Sequence, residues 1–319
     1  MRIHHPLLLA ACCTFSLALH AQEYPSKPVR IIVPYAPGGP TELVSRTVGE
    51  GLSKRMGQPF VIESRPGAAT RIGTEAVARA PADGYTLLLV STPFSTNHAL
   101  FGSLPYETKD FRAVVHMVSV PTAIFVPQDS AVKSVPELIA LAKAKPGEVT
   151  VGTAGNGTST HLLLELLGYV SGANFTHVPF KGDSPAITEL LAGRITASIN
   201  PLGVPLPHVK SGRLRAISVN MDRRLPQLPD VPTLAEQGLK EATSGTWFGL
   251  ACLAAVPTPI VSRLNAEAGA VLAQAEVRDK LADVGLLTVG GTAEQFDAHI
   301  RSEIQRWSTV IRVRGIKAD

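Results

Sequence analysis

Residues 29–35 form a continuous, largely β-branched run that leads directly into Pro37-Gly38-Gly39-Pro40-Thr41. The next segment carries Val44, Val48, Leu52 and Met56 on one helical stripe and is stopped by Gly57. A strand that is apolar at nearly every position, here all but Arg30, is buried on both faces, which requires helices on both sides of a parallel sheet. The same order then recurs. Residues 59–63 read as a strand, followed by Arg65-Pro66-Gly67-Ala68-Ala69 and a helix to Ala80, and residues 85–90 read as a strand ending in the polar tip Ser91-Thr92. Strand, glycine-rich loop and helix in repetition predict a doubly wound α/β fold.

The pattern restarts near residue 125. Residues 149–154 read as a strand, Gly155-Asn156-Gly157-Thr158 as its loop, and Leu162, Leu163, Leu166 and Val170 as the buried face of a helix. Residues 175–180, 195–200 and 214–219 supply further strands. Ser184-Pro185 offers an N-cap followed by proline at the first helical position, and Gly193 ends that helix. Residues 246–255 form an apolar strand long enough to carry the chain back to the first unit. Thr258-Pro259 opens another helix, and Thr292-Ala293-Glu294-Gln295 is a capping box. Phe296, Ile300, Ile304, Trp307 and Ile311 form the stripe of that last helix, which is expected to pack on the first unit. A chain of this length exceeds one comfortable core. The expected division is 24–124 with 246–319 as one domain and 125–245 as the other.

The N-terminus points out of the cytoplasm. A basic start and an apolar run from Leu7 to Leu19, closed by Ala21, read as a signal peptide over residues 1–21. That run is too short for a transmembrane helix, which needs about 20 residues. A second processing route stays open, because Leu9-Ala10-Ala11-Cys12 resembles a lipoprotein box in which Cys12 carries lipid. Beyond Ala21 only Cys252 remains, so no internal disulfide is available, and its apolar surroundings read as a buried core thiol. The formal net charge of +4 is not gathered into any basic run, which argues against a nucleic-acid partner.

Loops at the carboxyl ends of parallel strands line the ligand crevice of open α/β sheets. Here those loops are rich in Gly, Ser, Thr, Asn and Ala and almost free of charge. Gly38, Gly39, Gly155 and Gly157 permit close backbone approach, helix N-termini present unpaired N–H groups, and Thr41, Ser91, Thr92, Thr153 and Thr158 add hydroxyls. Such loops suit reversible capture of an anion. A hydrogen bond to a charged group contributes about 1.5–3 kcal/mol. Several of them reach the ~8 kcal/mol of a micromolar complex without an arginine clamp. The nine histidines are scattered singly or removed with the leader. No zinc spacing, nucleophile elbow or phosphate-binding loop is present, so neither an enzyme nor a cofactor is expected. Gly155-x-Gly157-x-x-Thr160 lacks the third glycine of a dinucleotide loop.

The chain resembles the Bug family, the periplasmic receptors of tripartite tricarboxylate transporters. The resemblance is carried by Tyr24-Pro25-Ser26-Lys27-Pro28, Val33-Pro34-Tyr35-Ala36-Pro37-Gly38-Gly39, Arg65-Pro66-Gly67-Ala68 and Asp83-Gly84-Tyr85-Thr86. In the second half it rests on residues 154–161, His177-Val178-Pro179-Phe180-Lys181-Gly182, Leu228-Pro229-Asp230-Val231-Pro232-Thr233, Trp247-Phe248-Gly249 and Gly290-Gly291-Thr292. It implies a two-domain periplasmic-binding-protein fold (a Venus flytrap of type II), each domain a mixed sheet flanked by helices. It further implies a small carboxylate ligand and a membrane permease of one large and one small subunit, with no ATP-driven pump, and a monomeric receptor. The contacts it implies are Gly38, Gly39, Gly67, Ala68, Gly155, Asn156, Gly157 and Thr158; Tyr35, Thr41, Ala69, Ser91, Thr92, Thr153, Lys181 and Asn200 on the same loops complete the candidate set, and Arg71 reads either as a solvated helix-start arginine or as a contact to a distal carboxylate. A sensor of the same fold, handing its ligand to a signalling partner, would share every one of these features.

Four departures bear on the ligand. Pro40 and Glu42 replace the usual glycine and aspartate, and Ala69-Thr70-Arg71 replaces Gly-Gly-Asn. Asn200 stands where the family often has an aspartate that grips an amino or amide group. Because asparagine cannot supply charge, amino-acid ligands are expected to be disfavoured. His161 reads as structural, and Lys181 at a strand end as solvated.

Overall fold

The computed structural model describes residues 24–243 and 245–316. The expected signal peptide and Cys12 lie outside the described residues. In chain order the elements are β1 (Val29–Val33), α1 (Pro40–Met56), β2 (Phe60–Ser64), α2 (Arg71–Ala78), β3 (Thr86–Ser91), α3 (Thr92–Phe101), β4 (Phe111–Val120) and β5 (Thr122–Pro127). Then come α4 (Val135–Ala144), β6 (Thr150–Thr153), α5 (Ser159–Ser171), β7 (Thr176–Pro179), α6 (Asp183–Leu191), β8 (Ala197–Pro201), α7 (Leu206–Lys210) and β9 (Leu214–Asn220). The chain closes with β10 (Thr246–Leu253), α8 (Thr258–Leu272), α9 (Ala275–Ala282), β11 (Leu287–Gly290) and α10 (Ala293–Arg314).

These strands build two mixed sheets, a six-stranded one ordered β11-β4-β10-β3-β1-β2 and a five-stranded one ordered β7-β6-β8-β5-β9. Each sheet has a parallel core with antiparallel neighbours: β2, β1 and β3 run together in one, and β7, β6 and β8 in the other. Both faces of each sheet are covered. In β3, Leu87 and Leu89 join one cluster while Leu88 and Val90 join the opposite one. In β5, Ile124 and Val126 face one cluster and Ala123 and Phe125 the other. The unbroken apolar runs of the sequence are therefore strands buried on both faces.

The chain crosses between the sheets at Pro121, the residue between β4 and β5, and returns into β10. Register fixes what that crossing brings together. Thr246 of β10 pairs with Val120 at the end of β4, and Phe248 of β10 pairs with Ser91 at the end of β3. On the other side Thr122, which opens β5, pairs with Pro201 at the end of β8. The carboxyl ends of both parallel cores thus point at the crossing, and the loops beyond them face one another.

Several elements differ from the sequence expectation. The polar tip Ser91-Thr92 is the start of α3, a helix whose Phe94, Ser95, Thr96 and Asn97 are all buried. β4 and β11 complete the first sheet. α6 begins at Asp183 with Gly182 as its N-cap at φ 110°, so Ser184 lies inside the first turn instead of capping it. The capping box at Thr292 and Gln295 forms as expected. Cys252 is fully buried, and burial pushes its thiol up to about 12.

The last helix departs furthest from expectation. Phe296 and Ile300 pack in the first lobe beside β4 and Trp247, as anticipated, but Trp307, Val310 and Ile311 belong to the core of the second. α10 therefore straddles both lobes. The Trp307 indole N–H donates to Glu303 Oε2 at 2.8 Å, and Arg306 bonds both Glu303 Oε1 (2.8 Å) and the Thr243 carbonyl (2.9 Å) beside the return crossing. Trp307→Ala empties a buried site and removes the indole donor from a buried carboxylate. It is expected to lower unfolding free energy by about 3–5 kcal/mol in denaturant titration. Val313→Ala on the same helix, 56% exposed, should change it by less than about 0.5 kcal/mol.

Candidate functional site: two facing sets of loops

The first-lobe loops follow β1, β2 and β3. Tyr35 leaves β1 and its hydroxyl bonds the Ser91 hydroxyl at the tip of β3, tying the first loop to the third. Burial raises the Tyr35 phenol above its ordinary value, so it stays protonated and can donate. Gly39 caps α1, with Thr41 buried in its first turn. The Gly38 N–H is already engaged, donating to Glu42 Oε2 at 2.6 Å while Arg46 binds the other carboxylate oxygen. Those bonds, the backbone one first, hold Glu42 well below the usual carboxylate range.

The loop after β2 is the most strained described segment. Gly67 adopts φ 126°, and Ala68, Ala69 and Thr70 follow at 46°, 51° and 73°. A Cβ on Gly67 would meet only the end of the half-exposed Ile72 side chain, which can move aside, so it is the backbone angle that calls for glycine here. Left-handed backbone costs a residue with a Cβ roughly 1–2 kcal/mol. The turn is held from beneath by Asn97 of α3, whose amide donates to the Ala69 carbonyl at 2.8 Å. Arg71 folds back on the same turn: its Nε bonds the Ala68 carbonyl at 2.8 Å and its guanidinium lies 4.0 Å over the Phe101 ring. Thr92 is buried, and its hydroxyl lacks a hydrogen-bond partner among the described residues.

The second-lobe loops follow β6, β7 and β8. Gly155 takes φ 132°, and a Cβ there would come within 3.0 Å of the Phe180 carbonyl. Thr158 caps α5 and also bonds the Gly155 carbonyl at 2.7 Å, closing the loop. Asn156 and Gly157 are exposed at its tip. The Gly157 N–H donates to His161 Nδ1 at 3.0 Å. His161 stacks on His177 with centroids 3.9 Å apart, and Glu165 links it to Arg314 of α10 at 2.7 Å. Burial of Glu165, which works against ionisation, is outweighed by bonds from His161 and Arg314. Thr153, fully buried, bonds His177 Nε2 at 2.6 Å and accepts from the Gly155 N–H, so it supports the loop from below. Lys181 is exposed. Asn200 is fully buried at the end of β8, with its carbonyl reached by the Ser198 hydroxyl and its amide donating to Asp183 Oδ1 at 2.9 Å.

The sequence-derived residues therefore sit on six strand ends around one crossing. Not all offer free groups: Gly38, Gly157, Thr153, Asn200 and Arg71 are engaged within their own lobes. Sequence reasoning missed His177, Asn97 and Asp183. The signal for Asp183 was an acid placed directly after Lys181-Gly182 at a strand-to-helix junction. Its carboxylate is half-buried, and burial raises its pKa against the opposing bond from Asn200. Among the described residues no cluster of His, Cys, Asp or Glu could hold a metal ion.

Residues 44–316 match the family described as TctC, tripartite tricarboxylate transporter family receptor. The chain belongs to this receptor family. It is 36% identical to BugT of Bordetella pertussis over 313 residues, covering 97% of this chain and 96% of that protein. Among solved structures, a TctC solute-binding protein from Polaromonas superposes with a TM-score of 0.84 at 30% identity, over 91% of this chain and 99% of that one. MatC of Rhodopseudomonas palustris, solved with bound malate, gives 0.70 at 30% identity over 90% and 100%. R. palustris Rpa4515, solved with adipate, gives 0.73 at 32% over 92% and 99%. The fold is that of the periplasmic binding proteins, and the chain is a solute-binding receptor of the Bug type, a family of receptors and not of enzymes.

Two outcomes follow for this receptor's loops. Ala69 is exposed and left-handed, so Ala69→Gly should raise unfolding free energy by about 0.5–1 kcal/mol in denaturant titration, the reverse of the usual glycine effect. Burial, then the neighbouring His161, depress His177 to about 4. The unfolded chain binds the proton that folded His177 refuses, so stability should fall as pH drops from about 6.5 to 4. His177→Asn should make that slope shallower in melts run across the window.

Proposed function

We propose that this protein is a periplasmic receptor that captures a small carboxylate between the two facing loop sets and delivers it to a membrane permease of one large and one small subunit. The expected domains, 24–124 with 246–319 and 125–245, act as two lobes, except that β5 from Thr122 onward belongs to the second sheet and α10 is shared, and the monomer closes by bending at Pro121 and at the return into β10. Residues 1–21 direct export and are then removed.

The observation that carries this reading is the convergence of six strand-end loops, built of backbone N–H groups and neutral hydroxyls, on one crossing between two lobes. Anions bind such surfaces because helix N-termini and turn amides point their donors outward. Water is excluded only when the second lobe covers the first, which makes each bond worth more. The left-handed turn 67–70 fits the same reading, since strain of this kind is kept where geometry serves binding. The solved relatives that hold malate and adipate support the carboxylate class.

A thermal-shift screen of the mature protein against mono-, di- and tricarboxylates, amino acids and aromatic acids tests the proposal. A true ligand at 100 times its dissociation constant adds about 2.7 kcal/mol to stability. A clear rise in melting temperature with one carboxylate class is expected. No shift with any of them, or a shift with nicotinamide dinucleotides instead, contradicts it.

A further inference from the structure

The charge missing at Asn200 is present one loop away. Gly182 turns the chain out of β7, its N–H bonding the Ala154 carbonyl at 3.2 Å, and this sets Asp183 beside the loop that starts at Gly155. Asp183 Oδ1 accepts from Asn200 Nδ2 at 2.9 Å. An ionised carboxylate only accepts, so the Asn200 amide turns its NH2 to Asp183 and its Oδ1 to the Ser198 hydroxyl, which also lies 3.0 Å from the Gly152 carbonyl. Ser198 and Asn200 are both fully buried, so the arrangement is rigid.

Among the described residues, Asp183 forms no ion pair. Lys181, two residues away, makes none with it, and the carboxylate is served only by a neutral amide. A partly buried carboxylate without a cation is unfavourable. On the wall of a carboxylate site it also repels the ligand's own charge. Both problems vanish if the ligand brings a cation to this wall. We propose that Asp183, oriented by Asn200 and Ser198, is a specificity-determining residue that holds the ammonium group of an amino carboxylate, while the carboxylate of that ligand meets the first-lobe loops. The expectation from Asn200 alone, that amino acids are disfavoured, is thereby reversed. The inference rests on the carboxylate-receptor reading and refines it.

Calorimetric titrations with skeleton-matched pairs test it: succinate against L-aspartate, glutarate against L-glutamate, and propionate against β-alanine. In the wild type at least one amino member should bind more tightly than its partner. Asp183→Asn, which keeps the volume and a hydrogen bond to Asn200, should weaken that amino member by about 10- to 100-fold and leave its partner unchanged or tighter. Asp183→Ser serves the same purpose should the first variant melt early. Tighter binding of the des-amino member in every pair overturns the inference while keeping the receptor reading. So does equal weakening of both members in either variant, which marks a structural role. Binding of neither member of any pair overturns both.

Discussion

Everything in this molecule hangs on the register of three strand pairs. The pairings Thr246 with Val120, Phe248 with Ser91 and Thr122 with Pro201 align the carboxyl ends of two separate parallel cores at a single crossing. Hydrogen-bonded ladders set this to the residue, because a slip by one would turn every buried side chain of β10 to the wrong face. Phe248 and Leu250 occupy one cluster and Trp247 and Ala251 the other, so such a slip is prohibitively costly. The six loops face one another as a consequence of packing in the two cores, and the site inherits its rigidity from them.

The loops themselves are stiffened by bonds within each lobe. Glu42 and Arg46 hold the first, Asn97 and Arg71 the second, and His161, His177 and Thr153 the loop after β6. Internal satisfaction of this kind lowers the ordering cost of binding. It also means that few groups await the ligand, so selectivity rests on a small number of positions. α10 adds a mechanical element. It is anchored in both cores and reaches the return crossing through Arg306 and the β6 loop through Arg314 and Glu165.

Much of this was readable from the residues. Apolar runs buried on both faces, glycine-rich loops at strand ends, and the Thr292 capping box each have a local cause, and local causes appear in sequence. The features that escaped have non-local ones. α3 lacks an amphipathic stripe because Phe94, Ser95, Thr96 and Asn97 are buried in succession, polar and apolar alike, so its segment 92–101 carries no helical period. β4 is interrupted by Arg112 and His116, and β11 has only four residues, so neither stands out from its neighbours. The division of α10 between two cores is invisible in a stripe that is apolar along its whole length. The site showed the same limit. Positions were legible, but whether Gly38, Thr153 or Asn200 offers a free group depended on Glu42, His177 and Asp183, and only the fold places those partners.

The central claim is that ligand is held between two lobes that close on it. Small-angle X-ray scattering of the mature protein, alone and saturated with the carboxylate that most raises its melting temperature, tests this most directly. The account predicts a smaller radius of gyration in the saturated sample. An unchanged radius under full occupancy would show that the ligand binds one lobe alone, and would contradict the account.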